Sequence, residues 1–573
     1  MQVKVNVVVD VLVSGGVQHI IECAEVVKDT VFFKKSQYLF SLTFYKFYRI
    51  LDKSKHLWYT LVVLPQMLLF KECEIVKRAT FVTILAALLT LSSLTGCGQG
   101  SAPETGGGET TPNAAADTAA ETESETELTR ENTPDTLPAD LDFGGEDICI
   151  LHRGGDHDVQ VEITAENTGD VVDSAIFNRN ISVEDRLNVK LTYVGTTDEV
   201  HGMDQIKVLM PAAINAGDPV YDLIASHMSQ MTPYVLQQYF LNLNAQPYLD
   251  FEMPWWNPSF REQITLEGKN YMAAGDISQT MLRGTYVTIM NKAVLNEYHT
   301  GYDPYETVRA GGWTYDEVLR LADIYHDVNG DGKADVSDIY GFIRDAVGIV
   351  NDALVGSFDI PLVENEGDTL KIVFNSEKTI GFIEKAQVLF YENNYAIKQE
   401  YVDLANKLMD DTALMTIFRL SLTDSLRDME ADYMILPCPK YDEAQQSYCG
   451  FTHNGFSVFC IPVTCATPDI AAATLEALCA ESYRTCTLAY YETTIKGKLA
   501  RDTDTAEMLD LIHAGVRFDF GYVYSASLAD LIQIPRNYIN NSKTSKGAST
   551  LAKKVALSEA KLPALLEAFE TLE

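Results

Sequence analysis

The chain has 573 residues and a formal net charge of −37, with 81 acidic against 44 basic side chains. A field of this sign repels nucleic acid and anionic membrane surfaces, so we expect no nucleic-acid partner, and it suits neutral or cationic ligands. The length is sufficient for more than one domain of ordinary size.

Residues 76–96 have the pattern of a secretory signal peptide. The basic pair Lys77-Arg78 precedes an apolar run, Phe81–Leu91, which is shorter than the about 20 residues of a membrane-spanning helix. The ending Leu94-Thr95-Gly96-Cys97 resembles the lipobox of bacterial lipoproteins. This resemblance implies a lipid such as palmitate on the Cys97 thiol and anchoring at the outer face of the cell membrane. A buried cysteine in a membrane helix is the alternative.

The stretches on either side of this signal are predicted to lie outside the folded body. Residues 1–75 show no helix caps and no clear period, which indicates a spurious upstream extension from a misplaced start codon. A genuine cytoplasmic or membrane-associated segment is the alternative. Residues 97–145 are rich in Gly, Thr, Pro and acidic residues and cannot bury enough apolar surface to order themselves, so we predict a disordered acidic tether there.

The body is predicted to alternate strands and helices from about residue 147. Strand patterns occur at 148–151, 187–194 and 221–225, separated by helical patterns at 174–186 and 205–216. This order favours a parallel α/β sheet, in which ligands bind beyond the carboxyl ends of the strands. His152, Arg153 and His227 stand at those ends and are candidate ligand-binding residues.

The rest of the body has weaker patterns. Further strands are predicted at 269–276, 285–291, 433–437 and 455–461, and helices at 292–298, 315–324, 378–394, 469–479 and 553–572. Seven cysteines follow Cys97, an odd number without the paired spacing of a zinc site. Neither a disulfide framework nor a zinc site is therefore expected, although one bridge among the C-terminal cysteines is an open alternative.

Residues 327–338 have the spacing of a calcium-binding loop. Oxygen-bearing side chains fall at positions 1, 3, 5, 9 and 12, a glycine stands at position 6, and position 7 offers its backbone carbonyl. The ligand set is Asp327, Asn329, Asp331, Lys333, Asp335 and Asp338. We predict a structural Ca²⁺ here, and the alternative is an Asx-rich turn without metal.

Several motifs occur along the chain in the order typical of one known family. They are Thr285–Leu295, Gly312-Trp313-Thr314-Tyr315-Asp316-Glu317, Asp331-Gly332-Lys333 with Tyr340-Gly341-Phe342, and Met434–Lys440. Together they resemble the extracellular, carbohydrate-type (family 1-like) solute-binding proteins of ABC importers. Within the second of these motifs, Thr314 is placed to cap a helix and Glu317 to answer it three residues later.

The resemblance implies an α/β fold class with two-lobed, type II periplasmic-binding-protein architecture and crossing hinge segments. Residues 146–284 would form the first part of lobe 1, and residues 285–454 would form lobe 2 with the calcium-like loop. Residues 455–573 would be the return to lobe 1 and the C-terminal helices. In this architecture the ligand is held between the lobes, which close over it by hinge motion.

The implied function is that of an exported, non-enzymatic protein that delivers a mono- or oligosaccharide to the permease of an ABC importer. Trp255 and Trp256 are candidate stacking residues for sugar rings, and Arg283 and Asn454 stand just before predicted strands where they could reach a ligand. A surface adhesion or sensor lipoprotein is the main alternative, and an extracellular glycoside hydrolase is the other. The sequence contains no GxSxG, HExxH or P-loop motif.

Overall fold

The computed structural model describes residues 129–154, 162–196, 203–366, 369–392, 395–499, 502–541 and 547–572. The predictions for residues 1–96, for the lipid on Cys97 and for the first part of the tether concern residues outside these ranges. Within the ranges, no helix combines the length and the apolar composition that crossing a bilayer requires.

The described residues form strands and helices in the following chain order. The strands are β1 (Glu146–His152), β2 (Val189–Gly195), β3 (Leu223–His227), β4 (Tyr286–Asn291), β5 (Tyr325–His326), β6 (Ile339–Asp345), β7 (Val363–Glu366), β8 (Thr369–Ile372), β9 (Ala396–Gln399), β10 (Ala413–Arg419), β11 (Tyr433–Leu436) and β12 (Ser457–Cys460). The α-helices are α1 (Val171–Leu187), α2 (Met203–Ala216), α3 (Met228–Val235), α4 (Pro258–Ile264), α5 (Gln279–Arg283), α6 (Lys292–Tyr298), α7 (Pro304–Arg309), α8 (Tyr315–Leu321), α9 (Val350–Ser357), α10 (Glu377–Tyr391), α11 (Tyr401–Met409), α12 (Pro468–Glu481), α13 (Thr503–Ala514), α14 (Phe520–Val523), α15 (Gln533–Asn541) and α16 (Gly547–Thr571).

The first lobe is built on a four-stranded sheet in the order β12–β3–β1–β2. β1 runs parallel to β2 and β3, whereas β12 is antiparallel to β3. Helix α1 is capped at its start by Asp170, whose carboxylate accepts the Val172 backbone N–H at 2.9 Å, and at its end by Asn188 in the left-handed conformation. The predicted alternation of strands and helices over 148–225 is confirmed, so the carboxyl ends of β1 and β3 lie at one edge of the sheet.

The second lobe contains a six-stranded sheet in the order β11–β4–β10–β6–β5, with β9 also paired to β6. β10 is antiparallel to β4 and parallel to β6. Helix α8 starts at Thr314, whose hydroxyl accepts the Glu317 N–H at 3.4 Å, so the predicted N-cap is confirmed. The fully buried Trp313 donates its indole N–H to the Pro437 carbonyl at 2.8 Å and packs this helix start against the lobe.

Two chain segments cross between the lobes side by side. The chain leaves the first lobe through residues 284–286 and returns to it through residues 449–456. The Tyr286 N–H donates to the Phe451 carbonyl at 3.3 Å, and the His453 N–H donates to the Gly284 carbonyl at 2.8 Å. The predicted crossing segments are therefore present and are hydrogen-bonded to each other.

The last part of the chain, 455–573, divides between the lobes. β12 and α12 belong to the first lobe, where α12 packs against α1. α13 packs against β11 of the second lobe, and α15 and α16 pack against α9 and α10 respectively. Near the end of α16, the Phe569 ring meets Tyr271 of the first lobe with centroids 6.4 Å apart. The C-terminal helix thus contacts both lobes.

The predicted strand at 269–276 is wrong. In this stretch only isolated bridges form, from Lys269 to Leu266, from Ala273 to Phe459 and from Gly275 to Trp256. The stretch lies beside β12, where Ala273 and Phe459 exchange backbone hydrogen bonds at 2.9 and 2.8 Å, and its apolar residues at 271–274 are buried. Burial and strand formation give the same short apolar pattern in a sequence.

The region predicted as a tether becomes ordered before residue 145. Arg130 pairs with Asp276 and lies over the Tyr483 ring at 3.9 Å. Leu137 is 6% exposed, and the Phe143 N–H donates to a first-lobe carbonyl at 2.9 Å. Residues 129–145 therefore carry enough apolar and basic side chains to bind the first lobe.

The seven cysteines of the described ranges all have free thiols, and all except Cys149 are buried. Cys438 and Cys449 line a small cavity beside the crossing segments, together with Thr285, Tyr286 and Gly450. Burial raises the pKa of Cys449 to about 11, which keeps this thiol protonated at neutral pH.

Candidate functional site

Polar side chains from both lobes meet beside the crossing segments. They come from the carboxyl ends of β1 and β3, from β4, α9 and β10 of the second lobe, and from the C-terminal part of the chain. We call this group the interlobe polar cluster, and its members are Arg153, His227, Tyr286, Asp352, Arg419, His453, Tyr522 and Arg536.

Arg153 enters the cluster from the end of β1 and is 3% exposed. Its Nη2 donates to the Ser457 hydroxyl at 3.1 Å, and that hydroxyl donates to Glu162. Glu162 also accepts the N–H and the hydroxyl of Thr280 at 3.0 and 2.9 Å. Burial raises the pKa of Glu162, and the nearby Arg153 charge opposes that rise. Glu162 and Ser457, neither of them predicted from the sequence, position Arg153.

Two histidines occupy the middle of the cluster. His227 ends β3, its Nδ1 lies 3.2 Å from the Ser229 hydroxyl, and its ring centroid is 6.3 Å from that of His453. The His453 Nδ1 accepts the Gly455 N–H at 3.1 Å. Burial and then the Arg419 charge hold the pKa of His453 well below its usual range, so the ring is neutral and carries its proton on Nε2.

The second lobe contributes groups from two adjacent strands. Tyr286 begins β4 and stands opposite Arg419, the last residue of β10, in the antiparallel ladder. The Tyr286 ring lies 6.3 Å from His453. Tyr522 donates its hydroxyl to the Thr452 carbonyl at 2.8 Å. Burial raises the pKa of both tyrosines well above the usual value, so each keeps its hydroxyl proton.

Asp352 and Arg536 form a buried ion pair at the edge of the cluster. Asp352 lies in the first turn of α9 and is 1% exposed. The Arg536 Nε donates to its Oδ1 at 3.2 Å, and Nη2 donates to Oδ2, which is a two-point geometry. Burial raises the pKa of Asp352 to about 6, while Arg536 opposes that rise. The pair connects α9 to α15 and fixes the orientation of the Arg536 guanidinium.

The other residues predicted to bind ligand do not all lie in the cluster. Asn454 lies in the crossing segment next to His453, where its carbonyl accepts the Ser229 N–H at 3.3 Å. The His152 ring meets Tyr193 at 6.4 Å, and burial lowers its pKa. Arg283 donates to Asp424 at 2.5 Å and so joins α5 to the turn at 420–426. His152 and Arg283 thus have partners outside the cluster, and contact of either side chain with a ligand stays a prediction.

The predicted stacking pair, Trp255 and Trp256, lies in the core of the first lobe. The two side chains are 0% and 2% exposed. Their indole N–H groups donate to the two carboxylate oxygens of Glu476 on α12, each at 3.0 Å. Because both ring faces are enclosed by protein, a packing role replaces the expected contact with sugar.

The calcium-like loop is held by its own hydrogen bonds. Asp327 accepts the backbone N–H groups of Gly330 and Gly332, each at 2.7 Å. Asp338, which is fully buried, accepts the Tyr325 hydroxyl at 3.0 Å and the N–H of Val328 at 3.2 Å. In the described part of the chain, no three His, Cys, Asp or Glu side chains are grouped so that they could hold a metal ion. The predicted set also includes Asn329 and the Lys333 backbone carbonyl, and a structural Ca²⁺ at this loop stays a prediction.

Sequence reasoning missed most of the second-lobe half of the cluster. Arg419 ends an apolar run at 413–418 that reads equally as strand or buried helix. Tyr522 and Arg536 lie in a stretch without clear periodicity. His453 was adjacent to the predicted Asn454, and its position before a glycine and a strand is the signal that could have identified it.

Comparison with solved structures identifies the fold. The crystal structure of a cyclo/maltodextrin-binding protein complexed with maltotetraose is 12% identical with a TM-score of 0.51, covering 73% of this chain and 97% of that one. The galacto-N-biose-/lacto-N-biose I-binding protein of the ABC transporter from Bifidobacterium longum is also 12% identical with a TM-score of 0.51, covering 74% of this chain and 98% of that one. This chain has their two-lobed fold. The predicted fold class, the type II periplasmic-binding-protein architecture, is thereby confirmed. No protein-family profile and no curated protein matches the sequence.

Proposed function

We propose that the chain is a lipid-anchored extracellular substrate-binding protein that delivers a saccharide to an ABC-type importer. The observation that carries the proposal is the interlobe polar cluster, which lies beside the crossing segments of a two-lobed fold. Clefts that bind hydroxyl-rich ligands need a few convergent polar donors and acceptors, and guanidinium, imidazole and phenol groups supply them here. Two structures of the same fold hold maltotetraose and lacto-N-biose, which supports a saccharide as ligand.

Thermal unfolding of the purified protein with a panel of saccharides tests this proposal. A ligand at about 100 times its Kd stabilises the folded protein by about 2.7 kcal/mol, so a binding saccharide raises the unfolding midpoint by several degrees. The variant His227→Ala should lose that rise. Arg320→Gln is the matched control, because Arg320 lies on the surface of α8 and bonds Glu317. The proposal fails if no saccharide, neutral or acidic, raises the midpoint.

Two cellular measurements test the anchor and the importer. The protein should fractionate with membranes and incorporate labelled palmitate, and Cys97→Ala should release it into the medium. Uptake of the binding saccharide should fall when the gene is deleted and should return with the wild-type chain. Retention of normal uptake in the deletion strain would favour a surface sensor or adhesion role, and turnover of a glycoside by the purified protein would contradict the non-enzymatic assignment.

A further inference from the structure

The interlobe polar cluster concentrates positive charge in a chain that is strongly acidic overall. Three guanidinium groups converge there, from Arg153 after β1, Arg419 at the end of β10 and Arg536 on α15. The chain as a whole has a formal charge of −37. Three cations drawn from distant parts of such a sequence are not a consequence of composition.

The geometry joins these groups across the two lobes. On the first-lobe side, Arg153 donates to Ser457, which stands opposite His227 in the β12–β3 ladder. The His227 ring lies 6.3 Å from the His453 ring. On the second-lobe side, Tyr286 lies 6.3 Å from His453 and stands opposite Arg419. His453 is thus the centre around which the cations are arranged.

Three carboxylates, Asp352 of the cluster and Glu162 and Asp345 beside it, already have donors within the protein. Asp352 accepts the two-point bond from Arg536. Glu162 accepts hydrogen bonds from Thr280 and Ser457. Asp345, at the end of β6, accepts the backbone N–H groups at the start of α9, including that of Ile349 at 3.0 Å. These three carboxylates therefore accept hydrogen bonds from the protein itself, and those hydrogen bonds fix their orientation.

The electrostatic environment at His453 is positive. Burial is the largest cause that lowers the pKa of His453, and the neighbouring Arg419, His227, Arg536 and Arg153 side chains each lower it further. Carboxylates around an imidazole would raise its pKa instead. The centre of the cluster therefore favours an anionic group of a ligand over a neutral hydroxyl group.

We infer that the ligand is an acidic saccharide, whose anionic oxygen group lies between Arg419 and His453. The group can be a carboxylate, a sulfate or a phosphate ester, since guanidinium binds all three through parallel N–H···O bonds. An acidic sugar brings an anion to these three guanidinium groups when the lobes close over it, and a hydrogen bond to an ionised group is stronger than one to a neutral hydroxyl. This inference rests on the proposed saccharide-binding function and adds the charge of the ligand to it.

A matched pair of ligands tests the charge directly. We would measure binding of trigalacturonate and of its fully methyl-esterified form by titration calorimetry, because the two share one skeleton and differ in charge. Loss of a charge-assisted hydrogen bond should weaken binding by about 10- to 100-fold. Glucose 6-sulfate and glucose 6-phosphate, each compared with glucose, distinguish a sulfate or phosphate ligand from a carboxylate.

Substitutions of Arg419 test whether the cluster recognises the charge of the saccharide. Arg419→Gln should lower the affinity for the acidic saccharide by about 10- to 100-fold, and Arg419→Lys should retain part of it because the positive charge remains. Arg320→Gln on the α8 surface should bind like wild type. The unfolding midpoint of each variant without ligand shows whether it is folded, and the ester comparison needs only the wild-type chain.

The possible results distinguish the inference about the charge of the ligand from the proposed saccharide-binding function. Preferential binding of any acidic saccharide over its neutral counterpart supports both. Binding of neutral saccharides with equal or higher affinity overturns the charge inference and leaves the proposed function standing. Absence of binding by every saccharide overturns the proposed function and the inference together.

Discussion

At the scale of single residues, the pair Trp255 and Trp256 shows how far sequence reasoning extends. Two adjacent tryptophans in a loop indicated an aromatic binding surface, yet both are buried and bonded to Glu476. A signal was available in α12, where Glu476 stands in an otherwise alanine- and leucine-rich helix. A single acid among apolar residues at such a position indicates a buried carboxylate that must find donors.

Glu476 should make the stability of the protein depend on pH. Burial raises its pKa from 4.5 to about 8, and the nearby Asp250 charge adds to the rise. A folded-state pKa above the unfolded value means that the folded protein binds the proton more tightly. This contribution to the free energy of unfolding is therefore fully present below pH about 4.5 and declines as the pH rises towards 8, by up to about 1.4 kcal/mol per pH unit.

The variant Glu476→Gln isolates this effect, because it cannot titrate. It should be less stable than wild type at pH 5, since its amide N–H₂ faces an indole donor, by about 1–3 kcal/mol. The difference between the two proteins should become smaller between pH 5 and pH 8, as measured by urea unfolding. A difference that stays constant over this range would show that Glu476 does not change protonation.

At the scale of elements, regular alternation was the part of the fold that the sequence could predict. The β1–β3 region and α6, α8, α10 and α12 were recognised because their apolar periods and caps are local. β6, β9 and β10 were not recognised. β6 and β10 are buried central strands whose short apolar runs have no period of their own, and β9 is a short, partly exposed strand at the edge of the sheet. Only pairing with distant strands defines all three.

The loop at 327–338 should depend on Asp338 more than on any ion. Asp338→Ala removes the acceptor of the Tyr325 hydroxyl and of the Val328 and Asp335 N–H groups. The variant should lose about 1–3 kcal/mol of unfolding free energy equally in EDTA and in calcium. A calcium-dependent rise in the wild-type midpoint that disappears in Asp331→Ala would instead support the calcium site predicted from the sequence.

The crossing segment at 449–456 should transmit changes from α9 to the cluster. A Cβ added at Gly356 would lie 2.6 Å from Cγ of Phe451, whose ring stacks on Tyr522 at 4.4 Å. Gly356→Ala should displace this segment, weaken saccharide binding several-fold and cost about 1–3 kcal/mol of stability. Gly450→Ala is the control in the same segment, because nothing lies within 4 Å of its Cβ position. Equal affinities of the two variants would refute this coupling.

At the scale of the whole molecule, net charge and local charge have opposite signs. The chain's charge of −37 led us to expect neutral or cationic ligands, whereas the cluster presents three guanidinium groups. Composition describes the surface as a whole, and most acidic side chains in the described ranges are exposed. The sign of the charge at a binding site depends on the few residues that the fold brings together. A count of residues does not show which residues these are.

Association with an acidic saccharide should therefore respond to salt in an unusual way. The long-range field repels the ligand and is screened over about 10 Å at 0.1 M salt, whereas enclosed guanidinium contacts are screened less. Raising the salt concentration from about 0.02 to 0.3 M should increase the association rate by roughly two- to tenfold, with a smaller change in dissociation. Stopped-flow fluorescence with a labelled saccharide measures both rates, and association that slows with salt would contradict this prediction.

The seven free thiols provide a set of internal reporters of motion. Cys438 and Cys449 line the cavity beside the crossing segments, whereas Cys460 and Cys479 lie in the first-lobe interior. A buried thiol reacts with a labelling reagent only when its surroundings open, so its rate measures the free energy of that opening. A saccharide that closes the lobes should slow the labelling of Cys449 more than it slows the labelling of Cys479. The two rates thus distinguish separation of the lobes from unfolding of one lobe.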